Sequence, residues 1–362
     1  MQALRANSPS SGFQIETVPL PTVGPSDVLI KVSVAGISPG AVKMTRFGKA
    51  RTPATLGHEA AGTVAAVGDA VQDLAVGTRV RLHPVLNCGS CDNCTRGLEN
   101  LCDESAIVGF AKFSKHSELY DEYHDGTVAE YVRAPRRFVD RLPVNVSFEI
   151  GAKLHDVATA LHAMKLAELK RPSTVVITAA TGAMGALTAR LAHLFPITKI
   201  ILVGRSKSRL EQTSKLSNVP SDILVADQAG SAAGGTPDLA TQLLALAPGG
   251  IDVVIDYLAS GNIMHQLLPA LRVGGTLVHM GGNQQPFPFP MFVVMNCCWK
   301  VTGGRANTRE DVLEVLKWLE DGKLQLDDLI THRFQFADVH KMLELLESRN
   351  EPVWLSVLQI SG

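Results

Sequence analysis

The sequence predicts an α/β protein with two domains, one rich in β-strands and one built on a doubly wound parallel sheet. With 362 residues, the chain exceeds the size at which a single hydrophobic core stops growing. Short segments within residues 1–150 have apolar residues near every second position, which is typical of strands. After about residue 157 strands and helices alternate, and this rhythm predicts parallel βαβ units.

The composition is that of a globular protein with a large core, since 46% of the residues are hydrophobic and 19% are charged. The net charge of -1 gives no electrostatic reason to expect nucleic acid or an anionic membrane as a partner. We therefore expect a small-molecule substrate. The N-terminal stretch lacks a basic segment followed by an apolar core, and no apolar run approaches the roughly 20 residues that cross a bilayer. A cytoplasmic location is expected.

The β-rich part begins with "VLIKVSVA", residues 28–35, whose alternation predicts a strand with one buried face. The next residues are "GISPG", in which Pro39 and Gly40 predict a tight turn that contains Ser38. Further strands are predicted from the alternating segments "AAGTVAAVG", "GTRVRLHPV" and "GTVAEYVRA".

The alternating part predicts five parallel strands joined by helices. The strands are "STVVIT", "KIILVG", "SDILVAD", "IDVVIDY" and "GGTLVHMGG", and the helices are residues 183–195, 208–216, 237–246 and 261–271. The apolar run 289–299 is interpreted as a sixth strand at the sheet edge. Two amphipathic helices and a closing strand, "VWLSVLQI", follow. We expect domain boundaries of 1–156, 157–297 and 298–362, with the last segment returning to the first domain.

Four of the six cysteines lie in one short stretch with the spacing C-x2-C-x2-C-x7-C. In a reducing compartment this clustering favours metal over disulfides. A set of four thiolates suits a structural zinc ion and leaves no coordination position for water or substrate. The predicted zinc ligands are Cys88, Cys91, Cys94 and Cys102.

A small-residue turn joins the first strand of the alternating part to its helix, in "VVITAATGAMGALTARLA". Gly182 allows a pyrophosphate to approach the helix N-terminus, and Gly185 allows the helix to pack closely on the strand. The turn departs from the full G-x-G-x-x-G pattern, because Ala180 stands at the first glycine position. The predicted cofactor-binding residues here are Thr181, Gly182, Ala183, Met184 and Gly185.

The end of the second strand indicates which dinucleotide is bound. NAD enzymes place an acidic residue there for the adenosine ribose, whereas this chain has no carboxylate in the segment that begins with Gly204. Guanidinium and hydroxyl groups can bind a 2′-phosphate, so NADPH is the expected cofactor. The alternative is that these basic residues form a solvated helix N-terminus that binds no phosphate. The residues assigned to this contact are Gly204, Arg205, Ser206, Lys207 and Arg209.

These motifs together resemble the medium-chain dehydrogenase/reductase superfamily, in particular its zinc alcohol dehydrogenase-like branch. The resemblance covers nearly the whole chain, including "LGHEAAGTVAAVG", the cysteine stretch and "THRFQFADVHKMLELLESR". It implies a GroES-like β-rich catalytic domain plus a Rossmann NADP-binding domain, with the active site between them. It also implies hydride transfer, cofactor contacts from Thr159 and Gly281, and a homodimer or homotetramer.

The resemblance makes the turn at Ser38 informative. Zinc-using relatives read G-I-C-x-S/T-D, in which the cysteine binds catalytic zinc. In this chain Ser38 stands at the cysteine position, Gly40 at the serine or threonine position and Ala41 at the aspartate position. The second family ligand is retained as His58, followed by Glu59, and the third falls on His155. A serine hydroxyl is a poor zinc ligand, so we expect the catalytic zinc to be absent.

Without that zinc, Ser38, His58, Glu59 and His155 are the candidate catalytic residues. An imidazole titrates near neutral pH and could supply a proton, and Gly40 would leave room for a larger substrate. The expected function is an NADPH-dependent reductase of a C=C, C=N or C=O bond. One alternative is a zinc-dependent NADP alcohol dehydrogenase that uses His58, Glu59 and His155, and another is a non-redox isomerase, cyclase or NADPH-sensing protein. His58 could also be a packing residue.

Overall fold

The computed structural model describes residues 1–226 and 238–361. The chain forms two compact units, Met1–Ala158 with Ala306–Gly362, and Thr159–Arg305. Asp227, the last residue of the expected strand "SDILVAD", and Pro237, the first residue of the expected helix 237–246, lie outside the described residues. Within the described ranges, no helix has both the length and the apolar character that a membrane crossing requires.

The first unit is built around a seven-stranded sheet whose central strand is Asp27–Gly36. This strand pairs antiparallel with Glu59–Val67, Tyr131–Pro135 and the closing strand Leu355–Gln359. The other strands of the large sheet are Arg79–Leu82, Val139–Arg141 and Ile330–Gln335. Two three-stranded sheets contain Gln2–Ala6, Gln14–Thr17 and Ala54–Thr55, and Val85–Leu86, Ala106–Ile107 and Ala111–Lys112.

The helices of the first unit include one that the sequence did not predict. Residues 36–40 were expected to form a tight turn, and this prediction is wrong, because a helix spans Pro39–Arg46. Pro39 has the fixed φ of a first helical residue, and the Ser38 hydroxyl accepts a hydrogen bond from the Ala41 amide at 3.2 Å. The other helices are Asp92–Thr95, Glu118–Glu122, Arg309–Glu320, Val339–Ser348 and Phe148–Leu166, which continues beyond residue 158.

The second unit contains a six-stranded, fully parallel sheet. Its strand order is Ser221–Val225, Ile197–Gly204, Ser173–Ile177, Ile251–Asp256, Leu271–His279 and Lys300–Gly303. In chain order this is 3-2-1-4-5-6, the order of doubly wound dinucleotide-binding sheets. The predicted fold class is confirmed. The helices of this unit are Ala183–Leu191, Lys207–Ser214, Leu239–Leu246, Met264–Leu267 and Met291–Asn296.

The sixth strand is not the one that the sequence predicted. The apolar run 289–299 forms the helix Met291–Asn296, and the edge strand is Lys300–Gly303. Pro290 caps the helix, and a proline cannot donate a hydrogen bond to a strand ladder. Cys298 has a positive φ of 53°, so the chain turns there before it enters the sheet. Lys300–Gly303 is less apolar than the run 289–299, but it is the edge strand because it pairs with Leu271–His279.

Candidate active site and metal centre

The first unit brings the two candidate histidines together. The imidazole rings of His58 and His155 lie edge to face, with centroids 5.2 Å apart. The ring of Phe110 contacts His58 from another direction, at a centroid distance of 5.4 Å. His58 precedes the strand Glu59–Val67, and His155 lies in the helix Phe148–Leu166. Residues nearly one hundred positions apart therefore form one buried cluster.

Ser38 and Gly40 lie near this cluster. The space next to Gly40 is not open. A Cβ atom added at Gly40 would lie 3.2 Å from the Phe110 ring and 3.6 Å from the Ser38 hydroxyl oxygen. The expectation that Gly40 leaves room for a larger substrate is therefore wrong, because the Phe110 ring occupies that space. The Ser38 oxygen accepts the helix-capping hydrogen bond from Ala41.

Asn307 fixes the proton position of His155. Its side-chain amide nitrogen lies 3.1 Å from the His155 carbonyl oxygen and 3.0 Å from Nδ1 of the same residue. A carbonyl oxygen can only accept a hydrogen bond, so the nitrogen of the amide must face it. The same nitrogen then donates to Nδ1. A neutral imidazole with an accepting Nδ1 carries its proton on Nε2, and this tautomer cannot bind a metal ion through Nε2.

Glu59 forms a buried ion pair that the sequence did not reveal. The Lys153 ammonium lies 2.7 Å and 2.6 Å from the two carboxylate oxygens of Glu59. The same nitrogen lies 2.9 Å from Oδ2 of Asp156. The side chains of Lys153 and Glu59 are 4% and 0% exposed. We refer to Lys153, Glu59 and Asp156 as the ion-pair triad.

The pKa values of the triad follow from burial and mutual charge. Burial and the Asp156 carboxylate act to raise the pKa of Glu59, whereas the Lys153 ammonium, in contact with both oxygens, favours the charged carboxylate. Burial alone would lower the pKa of Lys153, but Asp156 and Glu59 outweigh it and raise the pKa above its usual value. Burial likewise acts to raise the pKa of Asp156, and the positive charge of Lys153 reverses that shift. Lys153 therefore stays charged at neutral pH.

The two histidines are neutral rather than poised near pH 7. Burial, with a contribution from His155, lowers the pKa of His58 well below its ordinary value. Burial also lowers the pKa of His155 to about 3, although the Asp156 carboxylate acts in the opposite direction. The expectation of near-neutral imidazole pKa values is therefore wrong, because neither ring is solvated. Either ring can still donate a hydrogen bond from its one N–H group.

The arrangement does not fit a catalytic zinc ion. Ser38 caps a helix, Lys153 engages both oxygens of Glu59, and Asn307 engages Nδ1 of His155. In the part of the chain that the structure describes, His58, Glu59 and His155 do not converge as a ligand set. Nδ1 of His58 is buried and has no hydrogen-bond partner among the described residues.

The four cysteines of the lobe 88–102 do converge. Their sulfur atoms all lie within 4.8 Å of one another, and all four are free thiols. Burial acts to raise the pKa of Cys88, but the backbone amides of Ser90 and Cys91 donate to its sulfur and bring the pKa to about 6. The backbone amides of Cys88 and Glu104 also donate to the sulfur of Cys102, but burial outweighs them and raises the pKa of that thiol. This donor set fits tetrahedral zinc.

In the second unit, the small-residue turn lies between the strand Ser173–Ile177 and the helix Ala183–Leu191. Gly182 is the N-cap residue, and an added Cβ there would meet only the Ala179 carbonyl oxygen, at 3.5 Å. At Gly185 an added Cβ would lie 2.5 Å from the Cα of Ala180, so the helix approaches the strand end as closely as a glycine permits. Thr181, Ala183 and Met184 belong to the same turn and first helical residues.

The basic segment lies at the end of the second strand, as expected. Gly204 ends the strand Ile197–Gly204 and packs against Thr181 and Leu210. The helix begins at Lys207, one residue earlier than predicted, with Ser206 as its N-cap. No acidic residue occupies its first turn. Arg205 is exposed and has no ion-pair partner among the described residues, whereas Arg209 is partly buried in the first turn.

Two further cofactor candidates lie in the second unit. Thr159 is half-buried in the helix Phe148–Leu166. Gly281 follows the strand Leu271–His279, and an added Cβ there would lie 2.2 Å from the Leu258 carbonyl oxygen. Close backbone packing therefore requires glycine at this position.

Sequence reasoning missed Lys153 and Asn307. A signal for Lys153 was present, since a lysine and an aspartate stand three residues apart in an otherwise apolar helix, "GAKLHDVATALHAM". Residues three apart lie on the same helix face. Asn307 had no such signal, because it meets His155 across 152 residues of chain.

Comparisons with known proteins agree with this fold. The family descriptions "Alcohol dehydrogenase GroES-like domain" and "Zinc-binding dehydrogenase" match residues 24–144 and 183–321. "Probable D-xylulose reductase A" from Aspergillus clavatus is 31% identical over 337 residues, which cover 91% of this chain and 88% of that protein. "Sorbitol dehydrogenase 1" from Saccharomyces cerevisiae is 29% identical over 336 residues, covering 90% and 89%. The chain belongs to the zinc-binding, alcohol dehydrogenase-like family of medium-chain dehydrogenases/reductases and is an oxidoreductase of that class.

Solved structures show the same fold. Alcohol dehydrogenase TADH from Thermus sp. ATN1 superposes with a TM-score of 0.84 at 24% identity, covering 100% of both chains. A zinc-binding dehydrogenase from Sinorhizobium meliloti 1021, solved with NADP bound, gives a TM-score of 0.81 at 26% identity, covering 99% of both chains.

Proposed function

We propose that this oxidoreductase uses NADPH to reduce a C=C, C=N or C=O bond of a small organic substrate without a catalytic zinc ion. The observation that carries this proposal is the Lys153–Glu59 ion pair. Both oxygens of the carboxylate that the family pattern places beside the zinc are already held by an ammonium group. Ser38 stands at the position of the thiolate ligand, and its hydroxyl oxygen accepts the helix-capping hydrogen bond from Ala41.

The preference for NADPH rests on charge at the end of the second strand. Arg205 offers an exposed guanidinium group, and no carboxylate in the first turn of the following helix opposes a 2′-phosphate. Ser206 accepts the capping hydrogen bond through its oxygen, so its O–H remains a possible donor. Gly204 stands where a ribose-binding acidic side chain would otherwise be expected.

We assign the Nε2–H group of His155 as a hydrogen-bond donor to the group that is reduced, and the proton that completes the reduction comes from water. Bound NADPH supplies the hydride. His155 is neutral but retains a hydrogen on Nε2, because Asn307 occupies Nδ1. The names of the relatives concern a ketose and a polyol, D-xylulose and sorbitol. The carbonyl groups of ketoses are therefore the first substrate class to screen.

We further propose that Cys88, Cys91, Cys94 and Cys102 hold one structural zinc ion, and that a small molecule is the substrate. The backbone N–H groups that donate to Cys88 and Cys102 stabilise thiolates, which are the form that binds zinc.

The test combines turnover with a metal count on the purified protein. NADPH consumption is followed with a panel of ketoses, enones and imines, and zinc per chain is measured by mass spectrometry. The proposal expects NADPH oxidation and about one zinc ion per chain, held by the cysteines. About two zinc ions would instead support an alcohol dehydrogenase that uses His58, Glu59 and His155. Substrate conversion without net NADPH loss would support an isomerase or cyclase.

A further inference from the structure

Lys153 is a buried cation, and the hydride transfer proposed above does not use it. Its ammonium contacts three carboxylate oxygens at 2.6, 2.7 and 2.9 Å, two from Glu59 and one from Asp156. The lysine lies in the helix Phe148–Leu166, and Glu59 begins a strand of the large sheet. Burying a lysine is costly unless its charge is paired, so the triad must be formed in the folded state.

The orientation of the Glu59 carboxylate is fixed by the strand that faces it. Glu59 pairs with Gly36 in the sheet register. A Cβ atom added at Gly36 would lie 2.0 Å from Oε2 of Glu59, so the carboxylate fills the space that a side chain would take. The carboxylate therefore has a defined direction, which is the kind of preorganisation that a cation site requires.

We propose that Lys153 is a built-in cation that occupies the position of a divalent metal ion between Glu59 and Asp156, and that its removal opens a metal site there. Carboxylate oxygens are ligands for zinc and for harder divalent ions. An ammonium group and a metal ion compete for the same oxygens, so the lysine excludes the metal. The inference rests on the proposed function, in which no second metal ion takes part.

The test replaces Lys153 and counts metal ions. Lys153→Met removes the charge with little change in side-chain length. After dialysis against zinc chloride, this variant is expected to hold about two zinc ions per chain, against about one for the wild-type protein. Cobalt chloride gives a second readout, since a new cobalt site adds visible absorption bands that do not depend on activity. Zinc should also raise the melting temperature of the variant, because a ligand that binds only the folded state stabilises it.

Three control variants make the outcome specific. Lys153→Arg keeps the charge and should remain at about one zinc ion, as should Lys31→Met, which removes an exposed lysine in the same unit. The double variant Lys153→Met/Glu59→Gln should lose the added ion. If Lys153→Met folds poorly, recovery of its melting temperature by zinc, absent in the double variant, supports the inference. A folded Lys153→Met protein that stays at about one zinc ion overturns it. Two zinc ions in the wild-type protein would instead refute the proposed function.

Discussion

The amide of Asn307 donates a hydrogen bond to Nδ1 of His155 at 3.0 Å, across 152 residues of chain. Burial keeps this imidazole neutral, and the amide decides which nitrogen carries its hydrogen. His155 is thereby set to donate from Nε2. Asn307 acts on the reaction through His155 and is a positioning residue.

Replacing Asn307 by aspartate should reverse the tautomer of His155. A carboxylate accepts but cannot donate, so Nδ1 would have to carry the hydrogen and Nε2 would become an acceptor. Nitrogen-15 NMR of the histidine side chains measures this directly. Reduction should slow in Asn307→Asp, whereas Asn307→Gln, which keeps an amide, should lose less. An unchanged Nε2–H signal in Asn307→Asp would show that another contact sets the tautomer.

Stability should fall in mild acid because His155 is buried and neutral. Its pKa drops from 6.5 to about 3 on folding. Its contribution to stability is therefore complete above pH 6.5 and is lost as the pH falls towards 3, because the unfolded state takes up the proton first. In His155→Gln, unfolding between these pH values should take up about one proton fewer. Urea titrations at several pH values measure this, with the exposed His340→Gln as the control. Equal slopes for the wild-type protein and His155→Gln would contradict the expectation.

Cys94→Ser should release zinc and lower thermal stability. A hydroxyl group cannot replace a thiolate in a site of four sulfur ligands, and metal binding to such sites is worth on the order of 10 kcal/mol. Zinc content and the melting temperature are the measurements. Cys298→Ser, an exposed cysteine outside the lobe, is the matched control. Wild-type zinc content in Cys94→Ser would refute the assignment of this ligand.

Arg205→Ala should weaken NADPH binding at least about tenfold, because a charge-assisted hydrogen bond contributes about 1.5 to 3 kcal/mol. NADH binding should barely change, since NADH has no 2′-phosphate. Isothermal titration with both nucleotides tests this. Lys215→Ala removes an exposed charge at the other end of the same helix and serves as the control. A wild-type protein with equal affinity for NADPH and NADH would contradict the cofactor proposal.

The protein is expected to form a dimer or tetramer through the second unit. Met291, Phe292 and Met295 are 73%, 67% and 67% exposed on one short helix, next in sequence to the edge strand Lys300–Gly303. Exposed apolar groups and open strand edges are both characteristic of contact surfaces. Met295→Glu should shift the protein to a monomer in light scattering, whereas Val144→Glu, at an exposed apolar residue of the first unit, should not. A monomeric wild-type protein at micromolar concentration would refute the expectation.

The first five strands of the parallel sheet were predictable because each has a local signal. Apolar runs such as "KIILVG" alternate with helical patterns, and right-handed crossovers then restrict the possible topologies. The sixth strand had no such signal. Lys300–Gly303 is short and mostly exposed, and it is a strand because it pairs with Leu271–His279.

The sequence by itself determined the fold class, the four-cysteine lobe and the glycine turn, because each depends on residues close together in the chain. Only the tertiary structure decided the state of the candidate active site. Whether His58 and His155 are charged depends on burial, and whether Glu59 is available to a metal depends on Lys153, which lies 94 residues away. Solvation and long-range charge pairing arise when distant segments pack together, so no local pattern of residues carries them.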